Sequence, residues 1–156
     1  MRYIQTCDSP LGQILLASDG EALTGLWLEG QPRRGLSADA EERALPIFDR
    51  TRVWLSDYFD GGRPSAPPIH MIGTEFEKKV WSLLLQIPYG ETVTYGALAR
   101  RLGPTMSAQA VGGAVGRNKL SLIIPCHRVI GTDGKLIGYT GGLEKKQFLL
   151  TLEGAL

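Results

Sequence analysis

Cysteine is scarce in this 156-residue chain, with only Cys7 and Cys126 present. Two cysteines cannot build the disulfide framework of a small secreted domain. Neither belongs to a Cys-x-x-Cys pair of the kind that holds zinc or runs thiol–disulfide exchange. Histidine is equally rare, with only His70 and His127. A four-ligand zinc site would need all four of these scattered residues at once, so no metal is expected. No apolar run approaches the ~20 residues of a membrane span. The opening Met1-Arg2-Tyr3-Ile4 has no apolar signal segment, and no internal repeat or low-complexity tract is visible. These absences point to a soluble protein of the cytoplasm, associated with the chromosome if it binds nucleic acid.

What is present is an ordinary globular composition. Hydrophobic residues make up 43% and charged residues 21%, enough for one core or two small cores in contact. The net charge of +1 says nothing about a polyanion, but its distribution is uneven. Residues 1–70 carry 7 Lys/Arg against 10 Asp/Glu, and residues 71–156 carry 10 against 6. The second half is the better face for an anionic partner, although random scatter of surface charge gives the same tally.

The fold class read from the pattern is α+β. Tyr3 to Cys7, Gly12 to Ser18 and Leu23 to Leu28 read as strands, around turns at Asp8-Ser9-Pro10-Leu11 and Asp19-Gly20. They predict a small N-terminal antiparallel sheet. Ile47, Thr51, Trp54, Leu55, Tyr58 and Phe59 recur at helical spacing beside it. Pro46 suits the first turn of that helix, and Gly61-Gly62 stops it. The Pro/Gly/Ser-rich stretch 61–73 reads as a linker. The domains are therefore placed at residues 1–70, including the start of the linker, and residues 71–156.

The second part is mainly helical. Thr74 and Glu77 fit a capping box, followed by Phe76, Val80, Trp81, Leu84 and Ile87 on one face. Thr94 can cap a short helix from Tyr95 to Leu102, and a third helix runs from about Ser107 to Gly116. Two short helices joined by a glycine-containing turn form a helix-turn-helix pattern, which many non-DNA-binding hairpins share. The third helix carries Gly112, Gly113 and Gly116, at about 1 kcal/mol each relative to alanine. Either a neighbouring helix packs tightly there, or an outside partner such as a narrow DNA minor groove approaches the backbone.

Leu120 to Ile124 is a short apolar run that suits a buried strand. It ends at Pro125, and Cys126-His127-Arg128 follows directly. A free thiol is only a few per cent ionised at neutral pH, so a nucleophilic cysteine needs a base. Histidine can take the proton, and a carboxylate behind it fixes the tautomer. Adjacency alone does not establish this, because neighbouring side chains in extended backbone diverge. A buried inert cysteine beside a surface histidine is the plain alternative.

The segment Ile124-Pro125-Cys126-His127-Arg128-Val129-Ile130-Gly131 closely resembles the active-site motif of the O6-alkylguanine-DNA alkyltransferases. Ile87-Pro88-Tyr89-Gly90-Glu91-Thr92-Val93-Thr94-Tyr95-Gly96 is similar to that family's entry into its helix-turn-helix. Ala110-Val111-Gly112-Gly113-Ala114, Asn118, Gly138-Tyr139-Thr140-Gly141-Gly142, Lys146, Leu149-Leu150 and Glu153-Gly154 follow in the family's order. The resemblance spans about residues 73–156, with a looser match around Asp8-Ser9-Pro10-Leu11-Gly12.

The resemblance implies an N-terminal sheet domain with a flanking helix and a helical C-terminal domain bearing the site. It implies stoichiometric, single-turnover repair of O6-alkylguanine in double-stranded DNA, with O4-alkylthymine as a second candidate substrate. Cys126 would be the acceptor, His127 its water-linked base and Glu153 the partner of His127. Asn118 would support the turn beneath the site. Tyr95 would press on the 3′ phosphate and protonate the departing guanine. Val129, Tyr139, Thr140 and Gly141 would line the pocket. Ser107, Ala108, Gln109, Ala110, Gly112 and Gly116 would face a DNA minor groove while the damaged nucleotide is flipped out. No cofactor is implied, and the free protein is expected to be a monomer. Arg128 would buttress the domain interface.

Two positions depart from the best-studied members. Gln109 stands where they carry an arginine inserted into the base stack. Glutamine lacks the charge and planar guanidinium, so weaker or differently tuned flipping is expected. Lys119-Leu120-Ser121 replaces a proline-containing stretch at the pocket wall, which leaves the preferred alkyl size open. Plainer readings fit the rest: Cys7 in a strand, His70 solvated in the linker, and Trp27, Trp54 and Trp81 in cores. Arg100 and Arg101 sit on a solvated helix end or against phosphate. Three rival functions remain: a non-catalytic lesion binder, a Cys126–His127 hydrolase that turns over repeatedly, and a sequence-specific regulator.

Overall fold

A two-residue turn at Pro10-Leu11 starts the sheet. The Ser9 hydroxyl accepts from the Leu11 N–H at 3.1 Å and donates to the Gly12 carbonyl at 2.7 Å. Strands β1 (Tyr3–Ser9) and β2 (Gly12–Ser18) then run antiparallel, in register from Tyr3 opposite Ser18 to Ser9 opposite Gly12. Strand β3 (Leu23–Trp27) adds antiparallel to β2, with a register shift at Ala17/Ser18. The sheet is mixed rather than purely antiparallel, because β4 (Glu41–Glu42) joins β1 in parallel, giving the order β3-β2-β1-β4. Two exposed glutamates paired through backbone alone leave no apolar alternation for a sequence pattern to register.

The computed structural model describes residues 1–156. The chain divides into two units, Met1–Ile72 with Lys119–Ser121, and Gly73–Asn118 with Leu122–Leu156. In the first, helix α1 (Pro46–Phe59) has Pro46 in its first turn and buries Ile47, Phe48, Thr51, Trp54, Leu55 and Tyr58. Leu15, Ala17 and Trp27 form a buried cluster, flanked by Met1, Ile4 and Leu36. The Trp27 ring lies over Gly25, where an added Cβ would come within 2.4 Å of the indole.

The Pro-rich stretch after α1 is not a bare linker. The Leu23 N–H donates to the Pro68 carbonyl at 3.0 Å, and the His70 N–H donates to the Leu23 carbonyl at 2.9 Å. The Trp54 indole donates to the Pro64 carbonyl at 3.2 Å. Proline removes a donor but keeps its acceptor, so such a segment can still satisfy a strand edge. The His70 side chain is exposed, with Nδ1 3.1 Å from Asp19 Oδ2.

The expected strand at Leu120–Ile124 is largely a turn. Only Leu120 bridges to β3, at Leu26, and Ser121 donates to the Leu26 carbonyl at 3.0 Å. Leu122 then adopts φ 71°, which ends extended structure. An apolar run cannot announce a left-handed leucine, and this explains the misreading.

In the second unit, α2 (Glu75–Leu84) starts at a complete capping box. The Glu77 N–H donates to Thr74 Oγ1 at 3.1 Å, and the Thr74 N–H donates to Glu77 Oε1 at 3.0 Å. Strand β5 (Val93–Thr94) leads into α3 (Tyr95–Leu102), where the Thr94 hydroxyl caps the Ala97 N–H. Helix α4 (Ala108–Gly116) is capped by Ser107 and packs on α2 and α3. The buried Trp81 indole donates to the Ala114 carbonyl at 2.9 Å. A 3-10 turn (Cys126–Arg128), strand β6 (Val129–Ile130), parallel to β5, and helix α5 (Leu143–Leu152) complete the unit. No helix is long and apolar enough to cross a membrane.

Two substitutions test these assignments by thermal or denaturant unfolding. Thr74→Ala removes one half of the capping box and is expected to cost about 1 kcal/mol. Gly25→Ala forces the Trp27 indole to move and is expected to cost about 1–3 kcal/mol, as over-packing does. A neutral Gly25→Ala would mean the ring has room to shift.

Candidate active site

Pro125 ends the turn that follows Leu122, and Cys126 opens the 3-10 helix. The Cys126 N–H donates to the Ile124 carbonyl at 2.8 Å, and the Arg128 N–H donates to the Pro125 carbonyl at 3.0 Å. The Asn118 side chain, itself buried, donates to the same Ile124 carbonyl at 2.8 Å. Asn118 therefore fastens the peptide two residues before Cys126. The cysteine is only 6% exposed.

His127 and Glu153 lie behind it, both side chains with no exposed surface. His127 Nε2 is 2.7 Å from Glu153 Oε2. Nδ1 is buried and has no partner within the protein. Burial pushes the His127 imidazole below its ordinary pKa of 6.5. Glu153 opposes that shift, and the Arg128 and Lys146 cations reinforce it. The imidazole is consequently neutral at neutral pH and able to accept a proton.

Two cations close the arrangement. Arg128 Nε donates to Glu153 Oε1 at 2.7 Å, Nη2 to Oε2 at 3.1 Å, and Nη1 to the Ile87 carbonyl at 2.8 Å. These Arg128 bonds all lie inside the C-terminal unit. Lys146, fully buried on α5, donates to the carbonyls of Val129 and Ile137. Burial lowers its ammonium to about 8, and the Cys126 charge works in the opposite direction.

A cleft of about 590 Å³ opens beside α4. It is lined by Tyr95, Ala108, Gln109, Gly112, Gly116, Gly131, Thr132, Ile137, Gly138, Tyr139 and Thr140. None of these residues carries a formal charge at neutral pH. The Tyr95 hydroxyl donates to the Gly138 carbonyl at 3.2 Å. Gly138 has φ 65°, and a Cβ there would lie 3.1 Å from that hydroxyl, so both backbone and space call for glycine. Burial, followed by the Cys126 charge, raises the Tyr95 phenol above its ordinary 10.0, so it holds its proton.

The glycines of α4 can now be separated. A Cβ on Gly112 would make ordinary contact with the Tyr95 ring, and one on Gly116 would meet open space. Packing inside the unit therefore does not demand glycine at these two positions. Gly113 differs, facing Arg117 at 3.1 Å.

Of the residues singled out from sequence, Tyr95, Ala108, Gln109, Gly112, Gly116, Tyr139 and Thr140 share this cleft. Ser107 is the exposed cap of α4, and Ala110 is exposed but does not line the cleft. Val129 is fully buried, and its carbonyl accepts from Lys146. The Gly141 carbonyl accepts from Lys145 Nζ at 3.4 Å. Lys119-Leu120-Ser121 belong to the first unit, where they pair with β3. Thr132 and Ile137 carry no sequence signal for the cleft, and Gly131 and Gly138 stand in the motifs without being marked as its lining, because loop residues share a wall without any periodic spacing.

Comparison with known proteins agrees with this geometry. Residues 75–155 match the 6-O-methylguanine DNA methyltransferase DNA binding domain, and residues 2–65 match that family's ribonuclease-like domain. A methylated-DNA–protein-cysteine methyltransferase of Haemophilus influenzae is 43% identical, over 97% of this chain and 86% of its own. The Methanosarcina barkeri protein of the same name is 45% identical, over 97% and 96%. The crystal structure of Mycobacterium tuberculosis OGT in complex with DNA superposes with a TM-score of 0.87 at 40% identity, covering 98% of this chain and 93% of that one. With both of its parts matched and a buried histidine–glutamate pair beginning at the residue after its buried cysteine, the chain belongs to the 6-O-methylguanine DNA methyltransferase family.

Proposed function

We propose that this protein repairs alkylated guanine in DNA by moving the alkyl group from guanine O6 to the Sγ of its own Cys126, once per molecule. The observation that carries the reading is the buried His127–Glu153 pair, 2.7 Å apart, at the residue that follows Cys126. The names of the relatives supply the substrate class, and the neighbour bound to DNA supplies the partner.

The chemistry follows from the residues. The Cys126 thiol passes its proton to His127 Nδ1, directly or through one water. The thiolate attacks the alkyl carbon, an S–C bond forms, and the C–O6 bond breaks with its electron pair moving to guanine. Tyr95, which keeps its phenolic proton, gives that proton to the departing base and recovers one from the imidazolium through solvent. The balance is one thiol proton lost and one guanine proton gained. The product is a thioether with no hydrolytic exit, so the chain is consumed.

Burial of Cys126 supports base flipping, since a guanine stacked in a duplex cannot reach a thiol with 6% exposure. Gly112 and Gly116 give α4 a smooth cleft-side face that internal packing does not require, which suits a narrow minor groove. Gln109, on the same wall, fills the gap left by the flipped base and hydrogen-bonds its orphaned partner. Tyr139 and Thr140 hold the flipped base, with Val129 and Gly141 behind them. Asn118 keeps the turn under Cys126 in place. A thiol acceptor has to stay reduced, which places the protein in the cytoplasm, at the chromosome.

Intact-protein mass after incubation with a duplex carrying one O6-methylguanine tests the reading. A gain of one methylene per chain is expected, saturating at one equivalent and absent in Cys126→Ser. Lesion-selective binding without mass gain would instead support a non-catalytic lesion binder. Tyr95→Phe removes the proton donor and is expected to slow single-turnover transfer by about 10²-fold. An unchanged rate in that variant would assign protonation of the base to another group.

A further inference from the structure

The transfer scheme leaves Arg128 without a task, although it is fastened to the carboxylate behind His127. Its guanidinium takes both oxygens of Glu153, at 2.7 and 3.1 Å, and anchors to the Ile87 carbonyl at 2.8 Å. It also lies 5.7 Å from the centroid of the Tyr89 ring. Its side chain is 11% exposed and that of Glu153 is 0% exposed. The fork geometry is that of a bidentate arginine–carboxylate pair, which requires an ionised acceptor. An ionised Glu153 only accepts, so the nitrogen 2.7 Å away, His127 Nε2, has to donate. The remaining ring nitrogen, Nδ1, is then the lone pair available as base.

We infer that Arg128 is a positioning residue for alkyl transfer: by holding Glu153 ionised and charge-balanced, it fixes the His127 proton on Nε2 and keeps Nδ1 open to receive the Cys126 proton. The inference rests on the proposed function for its purpose, but not for its geometry.

The charges around the imidazole set the direction of the effect. Cys126 and Arg128 flank it on the 3-10 turn, and Lys146 and Glu153 face it from α5 and its C-terminal end. Glu153 raises the proton affinity of His127, and Arg128 and Lys146 lower it. Without Arg128, one of the two cations that offset the carboxylate is gone, and only burial and Lys146 still hold the histidine down. A proton from solvent then occupies Nδ1 at a higher pH, and an imidazolium cannot take the thiol proton. The base would be lost although every atom of His127 and Glu153 is still present.

Imidazole ¹⁵N chemical shifts of the unreacted protein, without DNA, test this directly. Only two histidines contribute, and His70→Gln assigns the exposed one. In the native protein, His127 is expected as the neutral Nε2–H tautomer at neutral pH, titrating below 6.5. In Arg128→Met its titration is expected to rise by about one pH unit or more, and the acid limb of transfer to free O6-benzylguanine should rise with it. Arg128→Lys keeps the charge and is expected to restore most of the native midpoint. If Arg128→Met does not fold, Arg128→Gln carries the same expectation. An Nδ1–H tautomer in the native protein would overturn the inference, and so would a midpoint that stays put when the charge is removed. A purely structural Arg128 lowers the melting temperature without moving His127. Because these spectra need no transfer, a failure here is distinct from a failure of the mass assay.

Discussion

The buried carboxylate of Glu153 is the constraint on which the rest of the site depends. A lone carboxylate with no exposed surface is strongly disfavoured, so its neighbours have to satisfy it. Arg128 does so with two N–H groups, and His127 Nε2, the inferred third donor, lies 2.7 Å away. In the proposed scheme those bonds orient the imidazole, and the position of its proton decides which nitrogen serves the cysteine. The C-cap of α5 is the glutamate, and the 3-10 turn carries His127 and Arg128. The packing of that helix on that turn is therefore a chemical requirement as much as a structural one.

Lys146 is the second buried charge, and it bears on the wall of the cleft. Its ammonium joins the Val129 carbonyl on β6 to the Ile137 carbonyl in the loop that follows. Ile137 and its neighbour Gly138 line the cleft, and Gly138 receives the Tyr95 hydroxyl. One lysine on α5 thus steadies the loop against which the proposed proton donor rests. The cleft itself is lined by residues without formal charge, in keeping with an occupant that is a flat, neutral base. The excess of Lys/Arg in residues 71–156 lies outside this lining.

Much of the scaffold was legible from residues alone because its signals are local. Thr74 with Glu77, Thr94, Ser107 and Pro46 each mark a helix start through contacts within three residues, and each lies where the structure caps or opens a helix. The three strands around Pro10-Leu11 and Asp19-Gly20 were legible for the same reason. The failures were non-local or conformational. β4 forms only because Tyr3 and Ile4 offer it a free edge. The Pro-rich stretch pairs with Leu23 through carbonyls that no composition count reveals. Leu122 breaks the expected strand by a backbone angle that its side chain does not announce.

For the site, the sequence by itself determined which residues are candidates for the proposed chemistry: a cysteine after proline, a histidine beside it, and a tyrosine at a helix start. It did so because residue type and spacing fix what a side chain can donate, accept or attack. What only the tertiary structure decided is which of these groups meet. The 26-residue gap between His127 and Glu153 closes to 2.7 Å through the return of α5. Arg128 turns onto the same carboxylate, and Gly138 comes beneath the Tyr95 hydroxyl, 43 residues away in the chain. The physical reason is burial: once these polar groups leave water, each has to find its partner within the fold, and only packing in three dimensions determines which partner that is.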